Sequence, residues 1–250
     1  MGYVIALAGK GGTGKTTIAA LLVRIIKEKK LGSILAVDAD PNSNLCESLG
    51  LESKETIGSI LDDITAHPEK IPSGMPKDRF IEYQVQTTII EGNGFDVLTM
   101  GRPEGPGCYC YVNNILRNIL GKLINDYQYI IVDNEAGLEH FSRRTTKSAD
   151  ALVVISSPTY AGLRAAERIS GLAKELGIKT KKNLLIVNCC DKEIERERIK
   201  SLDLDYLGLL PLDKHIEQAG ISGNSLLELK ENSPSLIALR KIGDKIWQCN

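Results

Sequence analysis

The chain has 250 residues, 31 of them Lys or Arg and 32 Asp or Glu, a formal charge of −1. That balance gives no support for a strongly basic nucleic-acid binder or an acidic tail. With 42% hydrophobic and 25% charged residues, the chain can bury a full core and lies outside the composition of disordered proteins. At about 150 residues per domain the length fits one to two domains, and one domain spanning residues 1–250 is expected, because α/β units often reach this size. No apolar run approaches the roughly 20 residues of a membrane span. The stretch from Tyr3 to Ala8 is too short for a signal peptide, so a cytoplasmic protein is expected. Six cysteines are too few for a disulfide scaffold and are expected to be thiols.

Tyr3 to Ala8 is a continuous apolar run, the pattern of a strand buried on both faces of a parallel sheet. A glycine-rich loop follows. From Thr16 to about Lys29, Ile18, Leu21, Leu22, Ile25 and Ile26 recur at helical spacing and Gly32 supplies a stop. Ser33 to Asp38 is a second buried strand, which makes the opening a βαβ unit. From Glu52 to Gly107 the pattern is less regular, with five prolines and one strand, Phe95 to Met100. Strands are then predicted at Tyr129 to Asp133, Ala151 to Ser156, Asn183 to Asn188 and Asp205 to Leu210. The clearest helices between and after them are Tyr160 to Leu176 and Ser235 to Trp247. Such alternation implies a doubly wound, mostly parallel α/β sheet with helices on both faces.

Gly9 to Thr16 reads GKGGTGKT and fills every fixed position of the phosphate-loop pattern, between a predicted strand and a predicted helix. Glycines let backbone N–H groups converge on phosphate oxygens, and the helix N-terminus adds partial positive charge. Gly9, Lys10, Gly11, Gly12, Thr13, Gly14, Lys15, Thr16 and Thr17 are therefore candidate nucleotide contacts, with Lys15 at the β/γ-phosphates and the Thr16 hydroxyl at Mg²⁺.

A general phosphate loop leaves the second position free, and here it is Lys10. At this point the chain resembles the deviant-Walker-A P-loop NTPases, the family that includes the nitrogenase iron protein, MinD and ParA. The resemblance implies an ATP hydrolase working as a homodimer, with Lys10 reaching phosphate on the partner subunit in the manner of an arginine finger. It assigns Asp38 to the Mg²⁺ shell and Asp40, in Asp38-Ala39-Asp40-Pro41, to the attacking water. Asp133 and the Asn134-Glu135-Ala136-Gly137 that follows resemble the family's Walker-B and second switch segment. Asn188 matches its adenine-reading asparagine, and Pro211, Leu212 and Asp213 match the loop beside the base. The resemblance favours ATP, while Asn188-Cys189-Cys190-Asp191 on its own leaves GTP open.

Cys108-Tyr109-Cys110 lies in a Gly/Pro-rich turn ahead of a helix beginning near Val112. Two thiolates at this spacing half fill a four-coordinate site, and a two-fold dimer would complete it. Four sulfurs suit Zn²⁺ or Ni²⁺ rather than Mg²⁺ or Ca²⁺. The alternative is an incidental pair of thiols. Together with Asp133 to His140, the Cys-x-Cys resembles the CooC-type accessory ATPases. That implies nickel insertion into carbon monoxide dehydrogenase by a nucleotide- and metal-dependent homodimer. Adjacent Cys189 and Cys190 would point to opposite faces, and the three histidines form no spaced cluster.

Two other readings remain at this stage. A MinD- or ParA-like positioning ATPase would need a membrane-binding C-terminal helix, which Leu236, Leu239, Ile242, Ile246 and Trp247 sketch, or a basic DNA-binding surface. The stripe is equally that of a last helix packed on its own sheet; neither nucleic-acid binding nor stable membrane association is expected. A bridging [4Fe–4S] cluster on the paired cysteines would instead give an electron-transfer ATPase.

Overall fold

A computed structural model of the chain describes residues 2–53, 55–102, 117–136, 148–192 and 194–248. Its eight strands are β1 (Tyr3–Gly9), β2 (Ile34–Ala39), β3 (Ile90–Glu91), β4 (Asp96–Thr99), β5 (Tyr129–Asn134), β6 (Ser148–Ser156), β7 (Lys179–Val187) and β8 (Asp205–Leu209). They form one sheet in the order β3-β4-β2-β5-β1-β6-β7-β8. Every pairing is parallel except β3 with β4. This is the doubly wound, mostly parallel α/β sheet that the sequence predicts.

The helices are α1 (Lys15–Glu28), α2 (Asn44–Ser48), α3 (Ile57–Ala66), α4 (Lys77–Thr87), α5 (Tyr160–Glu175), α6 (Arg196–Lys200), α7 (Lys214–Ser222) and α8 (Pro234–Trp247). Residues 117–123 are also helical. Strand alternation divides the core in two. Ile5, Leu7, Ala36, Val97 and Ile131 face α1, α2 and α8, whereas Val4, Ala6, Leu35, Val37, Leu98 and Val132 face α3, α4 and α5.

Helices α3 and α4 lie in the proline-bearing stretch, where the sequence reading placed only one strand. The prolines start helical turns there rather than forbidding them: Pro68 opens a 3₁₀ turn and Pro76 is the N-cap residue of α4. Thr56 and Ser59 exchange side-chain and backbone hydrogen bonds in a capping box that starts α3. β7 is longer than predicted because its first half, Lys179 to Lys182, pairs with β6 while presenting lysines to solvent.

The apolar stripe of α8 is occupied by its own protein. Leu236, Leu239 and Ile246 are fully buried and Trp247 nearly so. Lys182 Nζ donates to the carbonyls of Lys245 (2.8 Å) and Ile246 (3.4 Å) at the end of α8. Buried Arg24 donates to Glu28, Leu229 O and Glu231, and Arg240 donates to the same two carboxylates. This network ties α8 to α1, the helix that follows the phosphate loop. Among the described residues no helix is long and apolar enough to cross a membrane.

Candidate functional site

The site is built where β1, β2 and β5 end and α1 begins. The chain leaves β1 at Gly9, which is glycine because a Cβ would lie 2.4 Å from Ile155 O on β6. Thr13 Oγ1 donates to Lys10 O (2.8 Å) and closes the loop. Gly12 and Gly14 sit at φ +78° and +89°, left-handed conformations that turn the chain into α1. Lys15 is buried, whereas Lys10 is exposed on the loop.

Thr16 and Thr17 fall in the first turn of α1. Thr16 Oγ1 donates to Asp133 Oδ2 (2.6 Å), so the sequence-predicted metal hydroxyl and Walker-B carboxylate are in contact. Asp133 pairs in register with Asp38 on the neighbouring strand, and both side chains take the α1 face. Asp38 Oδ1 accepts from Asp40 N (3.1 Å) and Oδ2 from Leu45 N (2.8 Å). Asp133 Oδ1 is buried with no partner among the described residues.

Two buried carboxylates side by side oppose each other's ionisation. Burial first, then the charge of Asp133, pushes Asp38 from its ordinary 3.8 up to about 7, against the two backbone hydrogen bonds. Burial likewise raises Asp133 to about 6, opposed by the Thr16 hydroxyl and the Lys15 charge. The donor set is hydroxyl and carboxylate oxygen with one carboxylate oxygen unused. These hard ligands and uncompensated negative charge fit Mg²⁺. Asp40 is partly exposed; its Oδ1 accepts from Asn42 N (2.9 Å) and Nδ2 (3.0 Å).

The residues expected at the base divide. Asn188 lies beside the phosphate loop: its Nδ2 donates to Thr13 O (2.8 Å), and a Cβ on Gly14 would meet it at 2.3 Å. Bracing the loop is a role that its strand-end position alone does not reveal. Leu212 is exposed, and its N–H donates to Asp191 Oδ1 (3.1 Å). Pro211 O accepts from Ser235 Oγ, 2.8 Å away. Asp213 has a structural task instead of a free carboxylate. It caps α7 through His215 N (2.8 Å) and accepts from Ser233 Oγ (2.6 Å) and Ser235 N (3.0 Å). Burial alone would raise it, but these hydrogen bonds together hold its carboxyl below the usual range.

Cys108, Cys110, Gly137 and His140 lie outside the described residues. Among those described, no group of three or more His, Cys, Asp or Glu side chains is arranged to hold a metal. Cys189 is exposed and Cys190 buried, so this adjacent pair diverges as expected. A cavity of about 880 Å³ lies beside β7 and β8, and no phosphate-loop residue lines it.

The sheet order, the loop between β1 and α1, and the carboxylates at the ends of β2 and β5 are those of the P-loop NTPase fold of MinD/ParA architecture. The chain belongs to the AAA_31 family, described as an AAA domain, which matches residues 2–186. It is 42% identical over 248 residues to the uncharacterized ATP-binding protein MJ0685 of Methanocaldococcus jannaschii, covering 97% of this chain and 98% of that one. It is 30% identical over 245 residues to the carbon monoxide dehydrogenase accessory protein CooC of Rhodospirillum rubrum, covering 90% and 89%. In fold it is similar to the septum site-determining protein MinD complexed with Mg-ADP from Pyrococcus horikoshii OT3. That TM-score is 0.73 at 20% identity, over 99% of this chain and 97% of that one.

Proposed function

We propose that this protein is a Mg²⁺-dependent ATP hydrolase that works as a homodimer and carries nickel on Cys108 and Cys110 shared between subunits, for insertion into carbon monoxide dehydrogenase. The contact between Thr16 and Asp133, beside Asp38 and at the mouth of the phosphate loop, carries the ATPase half. Thr16, with Asp38 and Asp133 behind it, would hold Mg²⁺, which supplies charge neutralisation at the β/γ-phosphates. Lys15 and the loop N–H groups bind the phosphates, and Asp40 orients the attacking water. Exposed Lys10 enters the partner's site and neutralises charge in the transition state. Bound nucleotide thereby favours the closed dimer.

The cargo half is supported by Cys108-Tyr109-Cys110 and by similarity to CooC over most of both chains. One chain supplies two sulfurs, and closure brings four together. The described residues also supply a route for coupling: Met100 N, just before the cysteine segment, donates to Asp38 O (2.8 Å), and Met100 O accepts from Gly58 N (2.9 Å). Movement of Asp38 with nucleotide state is passed to that segment.

The test is an anaerobic nickel titration followed by thiolate-to-metal absorption and sedimentation, with Cys108→Ser and Cys110→Ser as controls. One nickel per two chains with dimerisation, both lost in the variants, is the expected result. Nickel binding independent of these cysteines, or none, overturns the cargo half and leaves an ATPase of another purpose. A brown protein with iron-dependent visible absorption would instead identify an electron carrier.

A further inference from the structure

Thr99, the last residue of β4, pairs in register with Asp38, which in turn pairs with Asp133. Registered residues of parallel neighbours project to the same face, about 4.8 Å apart from strand to strand. Thr99, Asp38 and Asp133 thus form a row on the α1 face, and each is at most 1% exposed. Thr99 Oγ1 is buried with no hydrogen-bond partner among the described residues. A sheet position needing only a β-branched shape is filled better by Val, as Val97 fills the same face two residues earlier, because an unpaired buried hydroxyl costs stability.

Four other buried side-chain atoms lack a partner among the described residues; Ser53 Oγ and Arg117 Nε lie on other segments, and two belong to the strand and loop beside Asp38. Asp133 Oδ1 is unpartnered in the same row, and Ser43 Oγ in the loop between Asp40 and α2, with Ser43 itself held at φ +56°. Asp38 lies between them, its carboxylate held by the N–H groups of Asp40 and Leu45 on either side of that loop. A hydroxyl both donates and accepts, so it can bridge ordered water to a carboxylate.

We infer that Thr99 is a positioning residue of the nucleotide site: its hydroxyl completes, through water, the hydrogen-bonded shell that orients Asp38 when Mg²⁺ and nucleotide are bound. The inference rests on the Mg²⁺-nucleotide reading of the site and adds a residue that the phosphate-loop pattern does not contain. The hydroxyl is a cost in the free protein and a gain in the bound one.

Thr99→Val keeps the shape and removes the hydroxyl; Thr99→Ser keeps the hydroxyl. ADP affinity is measured by calorimetry with magnesium and with EDTA, together with the melting temperature of the ligand-free protein. Thr99→Val should melt higher than wild type and bind ADP equally in EDTA. It should lose about tenfold of the affinity that magnesium adds, the loss of about one net hydrogen bond. Thr99→Ser should retain the magnesium gain. An unchanged gain in Thr99→Val, or an equal loss with and without magnesium, overturns the inference. Wild type and Lys15→Ala separate the failures. If magnesium adds nothing to wild type, the reading of the site falls too. If it does, and Lys15→Ala alone loses ADP, only the role of Thr99 falls.

Discussion

Asp133→Asn should make the ligand-free protein more stable at pH 8. Asp133 is buried, and its carboxyl rises from 3.8 to about 6, mainly through burial. Because the folded state holds that proton more tightly than the unfolded chain, stability falls as pH rises from about 4 to about 6 and is flat above. A rise of this size corresponds to about 3 kcal/mol of penalty on the ionised folded form. Asn has nearly the same shape, and its amide can still meet the Thr16 hydroxyl that now donates to Asp133 Oδ2. Placing an amide N–H₂ beside the unpaired Oδ1 position costs about 1 kcal/mol. The net gain at pH 8 is therefore about 2 kcal/mol. It should disappear near pH 4, where the folded carboxyl of the wild type is protonated and the unfolded one is about half protonated, so that little of the ionisation penalty is left. Asp38 adds to the same trend, since the charge of Asp133 is the second cause of its rise to about 7. Urea unfolding of both proteins from pH 4 to pH 8 reads the effect directly. With magnesium and ADP at about 100 times Kd, wild type should gain about 2.7 kcal/mol and the variant far less. A variant less stable than wild type at pH 8, or a gain that does not change with pH, would refute the account of paired buried carboxylates waiting for a cation.

Asp213→Ala should cost about 2 kcal/mol, from a lost α7 cap and lost bonds to Ser233 and Ser235, while leaving ADP affinity within about twofold; a large loss of affinity at unchanged stability would put its carboxylate at the base instead. Leu239→Ala should cost about 2–5 kcal/mol, because the side chain is fully buried between α8 and the sheet. Co-sedimentation of wild type with anionic vesicles should stay at background in the same experiment, and a stability loss under 1 kcal/mol with vesicle binding would return α8 to the membrane.

The parts of the fold most legible in the sequence were those under two-sided burial. β1, β2, β5 and β6 are central strands, so their inner residues are apolar without alternation, and the pattern marks them at once. Helices α3 and α4 are not marked in the sequence because they lie in the irregular, proline-bearing stretch, and because the capping box uses Ser59 where Glu or Gln is the familiar partner. The two-residue strand β3 carries no periodicity to detect. At the site, the phosphate loop is readable because its pattern is local, whereas Asp38 and Asp133 stand out only as carboxylates ending apolar strands and take their expected roles from the family resemblance. The brace from Asn188 to Thr13 and the row formed by Thr99 depend on the pairing of strands distant in sequence, and the task of Asp213 on Ser233 and Ser235 at the start of α8. A single strand ending in Thr gives no sign of what stands beside it.

The placement of these carboxylates bears on how a nucleotide could act on a thiol pair. β4 runs into the segment that carries Cys108 and Cys110, and β5 into the one that carries Gly137 and His140. Both strands flank β2, and both are fixed to the site near their C-terminal ends: Met100 N, just after β4, donates to Asp38 O, and Asp133 Oδ2, one residue before the end of β5, accepts from the Thr16 hydroxyl. A cation held by Thr16 with Asp38 and Asp133 behind it would lower the repulsion between the two carboxylates, in a sheet that is closely packed and transmits displacement rather than absorbing it. In the proposed coupling, the roots of both segments would shift together. In the proposed dimer, metal bound at the shared cysteines must in return favour the nucleotide state that brings those roots to the two-fold axis, because coupling between two binding equilibria is reciprocal.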